Sequence, residues 1–284
     1  MANLKEIRLR ITSVGSTMQI TSAMKMVSAA KLKRAQDAII QMRPYANKLT
    51  ELLNNLSASL DSSDGGVYTQ EREIKNVLLV TVTSNRGLCG AFNSNIIKQA
   101  TAAASSYDAK VSIVAIGKKA NDALSKNFEV ISNQSPVFDD LTFDNVAAIA
   151  EMLMEQFESK TFDKIEVIYN KFKNAATQEI MTEQFLPIEP LENDTNANLD
   201  YIFEPSKEEI IETLIPKSLK TQLYKSIRDS FASEHGARMT AMHKATDNAT
   251  ELRDQLKLTY NKARQASITN EILEIVGGAE ALNG

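Results

Sequence analysis

The chain has 284 residues, of which 43% are apolar and 6% aromatic, with no Trp and one Cys. That length supports one large domain or two smaller ones with ample core, and a single Cys excludes an internal disulfide framework, so a reducing compartment is the default. The net charge of −4 hides an asymmetry: residues 1–48 hold nine bases and two acids, residues 207–284 hold 11 of each, and the acid excess falls in between. A basic end on an acidic protein predicts an acidic partner or nucleic acid, with a solvated helix face as the plain alternative. The first thirty residues lack the apolar stretch of a signal peptide, and charges break every apolar run before about 18 residues, so the chain is expected to be soluble while able to work beside a membrane.

The first segment, 1–66, reads as one long helix. Leu4, Ile7, Ile11, Val14 and Met18 step by three and four, and Leu32, Ala35, Ile39, Met42, Ala46, Leu49, Leu53, Leu56 and Leu60 continue in phase. Such a seam, sustained over about eight heptads, predicts a coiled coil. Pro44 lies off the seam and predicts a bend or a second helix start, and Asp61-Ser-Ser-Asp-Gly-Gly66 predicts the stop. In mid-seam the in-phase residues are Thr21, Lys25 and Ser28, while Ile20, Ala23, Met24, Met26, Val27, Ala29 and Ala30 spread apolar surface around the helix. This stretch is expected to meet more than its coiled-coil mate, packing against the chain's own middle domain being the alternative.

The segment 74–205 alternates strand and helix signals. Val77 to Thr83, Lys110 to Gly117 and Ile165 to Tyr169 read as buried strands, and Asn93 to Ala104 and Phe143 to Lys160 as helices between them. This predicts an α/β domain with a mainly parallel sheet and Rossmann-like layering. LENDTNANLDY, 191 to 201, reads as a polar loop. In the last segment, 207–284, Pro216 suits the first turn of a helix. Met242, Ala245, Ala249, Leu252, Leu256, Thr259, Ala263 and Ala266 then form a second seam, and Gly277-Gly278 weakens its end. A helix from 216 to 276 would run roughly 90 Å at about 1.5 Å per residue. Two long seamed helices at opposite chain ends most simply pair as an antiparallel coiled coil.

The glycine-rich TSNRGLCGAFN, 83 to 93, follows the first strand, where many enzymes bind phosphate or place a nucleophile. It lacks GxxxxGK[ST] and GxGxxG. Cys89 has no base in sequence reach, because His235 and His243 lie on the last helix and read as exposed. A structural Cys, with Gly87 and Gly90 turning strand into helix and Asn93 or Asn95 near the cap, is the favoured reading; Arg86 binding a phosphate at that helix start is the alternative. No catalytic constellation, metal cluster or cofactor motif is found.

IRLRITSVGSTMQITSAMKMVSAAKLKRAQ (7 to 36), SNRGLCGAFNSN (84 to 95) and ARMTAMHKATDNATELRDQLKLTYNKARQASITNEILEIVGGAEAL (237 to 282) closely resemble, in order and spacing, the gamma subunit of bacterial-type F-type ATP synthases. The resemblance covers essentially the whole chain. It implies a non-catalytic central rotor shaft coupling rotation of the membrane c-ring, driven by protons or sodium, to sequential changes of the catalytic beta subunits during ATP synthesis, and the reverse in hydrolysis. The implied partners are three alpha and three beta subunits around one gamma, the epsilon subunit and the c-ring, with no nucleic acid, no direct nucleotide binding and no cofactor. The implied place is peripheral, on the cytoplasmic face of the cell membrane. Residue by residue, the resemblance puts Met24, Lys25, Arg264, Gln265 and Thr269 against the beta subunit. It puts Ile272, Ile275, Val276 and Leu282 in an apolar bearing tip, and Tyr201 and Glu204 near the c-ring and epsilon. Redox control through an inserted cysteine pair, known in chloroplast types, is excluded by a lone Cys89. An exposed apolar shaft makes the isolated chain prone to aggregate. A nucleic-acid-binding coiled coil, a Cys-dependent enzyme and a non-rotating scaffold are the rival readings.

Overall fold

The computed structural model describes residues 4–57, 67–188 and 207–283. Its elements are helix α1 (Leu4–Ser57), strand β1 (Asn76–Val82), helix α2 (Phe92–Ser106), strand β2 (Lys110–Ile116), helix α3 (Lys118–Leu124), strand β3 (Glu129–Asn133), helix α4 (Phe143–Glu158), strands β4 (Lys164–Phe172) and β5 (Gln178–Leu186), and helix α5 (Lys207–Asn283). They form two compact units, one of Ala29–Arg238 and one of Met1–Ser28 with Met239–Gly284.

In the first unit the strands make a single sheet of order β3-β2-β1-β4-β5. The pairs β1·β2, β1·β4 and β2·β3 are parallel, and β4·β5 is antiparallel. The central strands are apolar on both faces because both faces are covered. Leu78, Val80 and Val82 of β1 pack with Val114, Ile116 and Val167 under α4 and under Ile215, Leu219, Leu223 and Ile227 of α5. Val77 and Leu79 point the other way, joining Ile113, Ala115 and Ile168 beneath α2 and α3. The expected strands and helices are all present; β3, β5 and α3 are additions that sequence reading missed. Helix α4 starts at Thr142, whose hydroxyl accepts the Asn145 N–H.

Several local expectations are corrected. Of the two outcomes expected at Pro44, a bend or a second helix start, the second does not occur, because Pro44 lies inside α1. Pro216 likewise lies inside α5, which starts at Lys207, rather than in a first turn. An interior proline costs about 3 kcal/mol. Four buried aliphatic side chains beside it and along the following turns, Ile215, Leu219, Leu223 and Ile227, at about 1.5–3 kcal/mol each, outweigh that. Helix α2 has Ala91 at its N-cap with no side-chain cap; Asn93 and Asn95, expected near the cap, both lie in its first turn, where Asn93 turns back to Ser84. The stop at 61–66 and the loop at 191–201 lie outside the described residues.

In the second unit α1 and α5 pair antiparallel. Met18 meets Thr250, Thr21 meets Thr246 at 2.8 Å and Lys25 meets His243 at 3.4 Å, the numbers falling on one helix as they rise on the other. Ile7 and Thr21 are buried, and Ile11, Val14 and Met18 half-buried between them, so the α1 seam faces inward as expected. The α5 seam is shifted. Met242, Thr246, Ala249, Arg253, Leu256, Tyr260, Ala263 and Ser267 form the inward row, while Leu252 is 47% exposed. Arg253 and Tyr260 occupy inward positions although polar by type, and the Arg253 guanidinium donates to Met18 Sδ across the coil at 3.5 Å, so apolarity alone misplaced the phase.

Candidate functional site

The coil's outward surface is unusually apolar for a surface helix pair. On α1, Leu9, Ile20, Met26 and Val27 are exposed, and near the end of α5 so are Ile268, Ile272, Leu273, Ile275 and Val276. A coil whose seam is already filled gains nothing by itself from such a surface, and surfaces of this kind mark contact with another protein.

The predicted contact residues fall on this unit. Met24 and Lys25 are half-buried, and Ser28 donates to the Met24 carbonyl at 2.8 Å. Arg264, Gln265 and Thr269 are exposed on α5. Thr269 donates to the Gln265 carbonyl at 2.9 Å, so those two share a face, continued by Ile272 and Val276. Ile275, 71% exposed, stands off that row. The structure thus brings Gln265, Thr269, Ile272 and Val276 into one stripe. The Leu282 side chain, Tyr201 and Glu204 lie outside the described residues.

Lys25 is better engaged than its sequence position suggests. Its ammonium faces Nδ1 of His243 at 3.4 Å. The same imidazole lies 3.4 Å from Asp247, one turn further along α5.

In the other unit, the turn after β1 is a closed polar structure. Leu88 at φ 61° and Gly90 at φ 60° reverse the chain in left-handed conformations. The Ser84 hydroxyl donates to the Arg86 carbonyl at 2.5 Å, and Asn93 bonds both Ser84 and Cys89. Cys89 is buried, and burial pushes its thiol above the ordinary range, outweighing the hydrogen bond from Ser84 and the charge of Arg238. A thiol held protonated is a poor nucleophile. Arg86 engages this network through its carbonyl, which accepts from Arg238 at 3.1 Å, while its residue surface is exposed.

The histidine reading needs one correction. His243 is exposed, but His235 is buried, edge-on to Phe231 at 4.5 Å, with Nε2 unpartnered. Burial, then the charges of Arg238 and Lys31, push its pKa down to about 3. Its burial follows from Phe231 and the packing of α5, which no local pattern announces. Glu234 and Arg238, four apart on α5, were likewise missed, although that spacing is a readable helix pair. Among the described residues no group of three or more His, Cys, Asp or Glu is placed to hold a metal ion. No described helix is long and apolar enough to cross a membrane.

A family model described as ATP synthase matches residues 3–282. The ATP synthase gamma chain of Flavobacterium psychrophilum is 74% identical over 100% of both chains, and that of Flavobacterium johnsoniae 73% identical over the same share. Among solved structures, a chain of the Tetrahymena thermophila mitochondrial ATP synthase central stalk and c-ring matches with TM-score 0.61 and 27% identity, over 80% of this chain and 99% of that one. A chain of the Euglena gracilis mitochondrial ATP synthase, solved with OSCP, F1 and c-ring, shares the fold at TM-score 0.70 and 22% identity, over 98% and 94%.

Proposed function

The chain belongs to the ATP synthase gamma-subunit family, and from that premise we propose that it is the central rotor shaft of its complex. Turning of the c-ring, driven by ion flow, turns the shaft. The shaft's uneven surface then drives the catalytic subunits in sequence towards ATP synthesis, and the reverse in hydrolysis. Its own residues bind no nucleotide and perform no chemistry. It sits peripherally, on the cytoplasmic face of the membrane, with three alpha and three beta subunits around it and epsilon and the c-ring at its foot.

The observation that carries this reading is the apolar outer surface of the coil, whose seam is already occupied by its own two helices. A ring of subunits closed around the rod would cover that surface. At the end of α5, Ile272, Ile275 and Val276 offer such a ring an apolar bearing surface, with the exposed Glu271 and Glu274 beside it. Around Lys25 a positive spot would draw acidic loops of successive beta subunits. Arg264, Gln265 and Thr269 supply hydrogen-bonding groups beside the tip. For Tyr201 and Glu204 the reading at the c-ring and epsilon rests on the family likeness.

Native mass measurement of this chain mixed with purified alpha and beta subunits, with ATPase activity read alongside, tests the proposal. One copy held with several alpha and beta chains, and ATPase arising only in that complex, is expected. A chain that stays apart, with catalytic subunits that behave as though it were absent, sinks it.

A further inference from the structure

Helix α1 carries one charged residue between Arg10 and Lys31, and that residue is Lys25. Its ammonium and the Asp247 carboxylate both address the same atom, Nδ1 of His243, each at 3.4 Å. The two neighbours require opposite things of that nitrogen. An ammonium has only protons to give, so Nδ1 must offer a lone pair. A carboxylate only accepts, so Nδ1 must carry a proton. One nitrogen cannot do both.

With its proton on Nε2, a neutral His243 accepts from Lys25; with the proton on Nδ1, it serves Asp247. Protonation removes that choice. An imidazolium can only donate, so it bonds Asp247, and its charge repels the ammonium beside it. No other charged side chain enters from α1, and on α5 the remaining charged neighbour is the exposed Lys244. The seam beside the ring is made of Thr21, Thr246 and Met242, which do not titrate. The side chains of His243 and Asp247 are 56% and 64% exposed, so the ring exchanges protons directly with solvent.

We propose that His243 is a positioning residue for Lys25, operated by a proton. The neutral ring holds the ammonium against the coil; the charged ring releases it outward and adds a second positive charge to the same collar. The functional consequence rests on the shaft reading: contact between this collar and an acidic partner loop strengthens when the ring takes up its proton.

The test is brief amine acylation of the intact complex between about pH 5.5 and 8, the range in which imidazoles change charge. Labelling of Lys25 is read by mass spectrometry relative to the exposed Lys126, an internal amine reference outside the coil. In the unaltered complex the Lys25:Lys126 ratio should fall about twofold in a one-proton step as pH rises, the scale of one like-charge pair on a helix surface. In His243→Gln the ratio should be flat, because the amide can serve both neighbours without titrating. A flat ratio in the unaltered complex, or a step that persists in His243→Gln, overturns the proposal. ATP hydrolysis by both complexes at about pH 6 and 8 separates it from the shaft reading. A labelling step with parallel turnover leaves the proton switch standing and removes the partner contact assigned to Lys25.

Discussion

The guanidinium of Arg238 lies 2.6 Å from the carboxylate of Glu234, one turn back on α5, and both side chains are about nine-tenths buried. The pair is not closed on itself. Arg238 also donates to the carbonyls of Arg86 at 3.1 Å and Gly87 at 3.2 Å, so it fastens the turn after β1 to α5. Burial holds the Glu234 carboxyl above its usual range even against Arg238 and Lys31. A buried pair of this kind is dear to break, whatever its worth against an apolar replacement.

Arg238→Ala should therefore destabilise by about 3–5 kcal/mol, because it strands a buried carboxylate and two turn carbonyls together. Arg238→Lys should recover only part of this, since a point ammonium cannot span the same acceptors as a planar fork. Urea unfolding followed by circular dichroism measures both. An Arg238→Ala cost below about 1 kcal/mol would show that water replaces the clamp.

His235 predicts an acid limb. Its folded pKa of about 3 lies below the usual value of 6.5. The unfolded chain therefore binds a proton that the native chain refuses. The stability from this residue is complete above about pH 6.5 and is lost as pH falls toward 3, at up to about 1.4 kcal/mol per pH unit. His235→Phe, which keeps a ring beside Phe231, should flatten that limb by one proton. Urea midpoints across this range decide it; an unchanged limb would assign acid sensitivity to the carboxylates.

Gly117 joins β2 to α3 at φ 115°, and a Cβ there would lie 2.1 Å from the Thr83 carbonyl oxygen. Backbone cannot step aside as a flexible side chain can. Gly117→Ala should cost more than about 3 kcal/mol, combining strain with overlap. A variant that melts within a few degrees of the parent would mean that the turn after β2 can be rebuilt.

Arg264 and Gln265 make the opposite case. Both are exposed on α5, so the double change to Ala should shift stability by less than about 0.5 kcal/mol. In the assembled complex it should weaken ATP synthesis or the hold on the catalytic subunits. Synthesis at the parent rate, with assembly intact, would remove these residues from the contact set.

The strands that were legible were those buried on both faces. Val77 to Val82 and Lys110 to Ile116 are nearly continuous apolar runs. β5 was not legible, because Gln178 to Gln184 holds only two apolar residues, Ile180 and Met181, and only Phe185 and Leu186 are buried. β3 has alternating exposure over five residues, and α3 is a single short helix of seven. Edges of a sheet need little apolar content, so composition says little about them. The α1 seam was readable because most of its inward residues, such as Ile7, Ile11, Val14 and Met18, are apolar. The α5 phase was not, because Arg253 and Tyr260, polar by type, occupy it. Of the candidate contacts, the sequence placed Lys25 on its helix but could not show His243 across from it, a pairing made by residues 218 positions apart.

That separation has a consequence for synthesis of the chain. Met18 meets Thr250 across 232 positions, and ribosomes add about 5–20 residues per second. For roughly ten to fifty seconds after it is made, the inward row of α1 waits without its mate, because the mate is translated 232 positions later. Thr21 and Ser28 interrupt that waiting row with hydroxyls bonded to their own helix's carbonyls, at Met18 and Met24. The nascent segment is thereby less sticky than an all-leucine seam would be, at the stage when only the ribosome's surroundings are there to bind it.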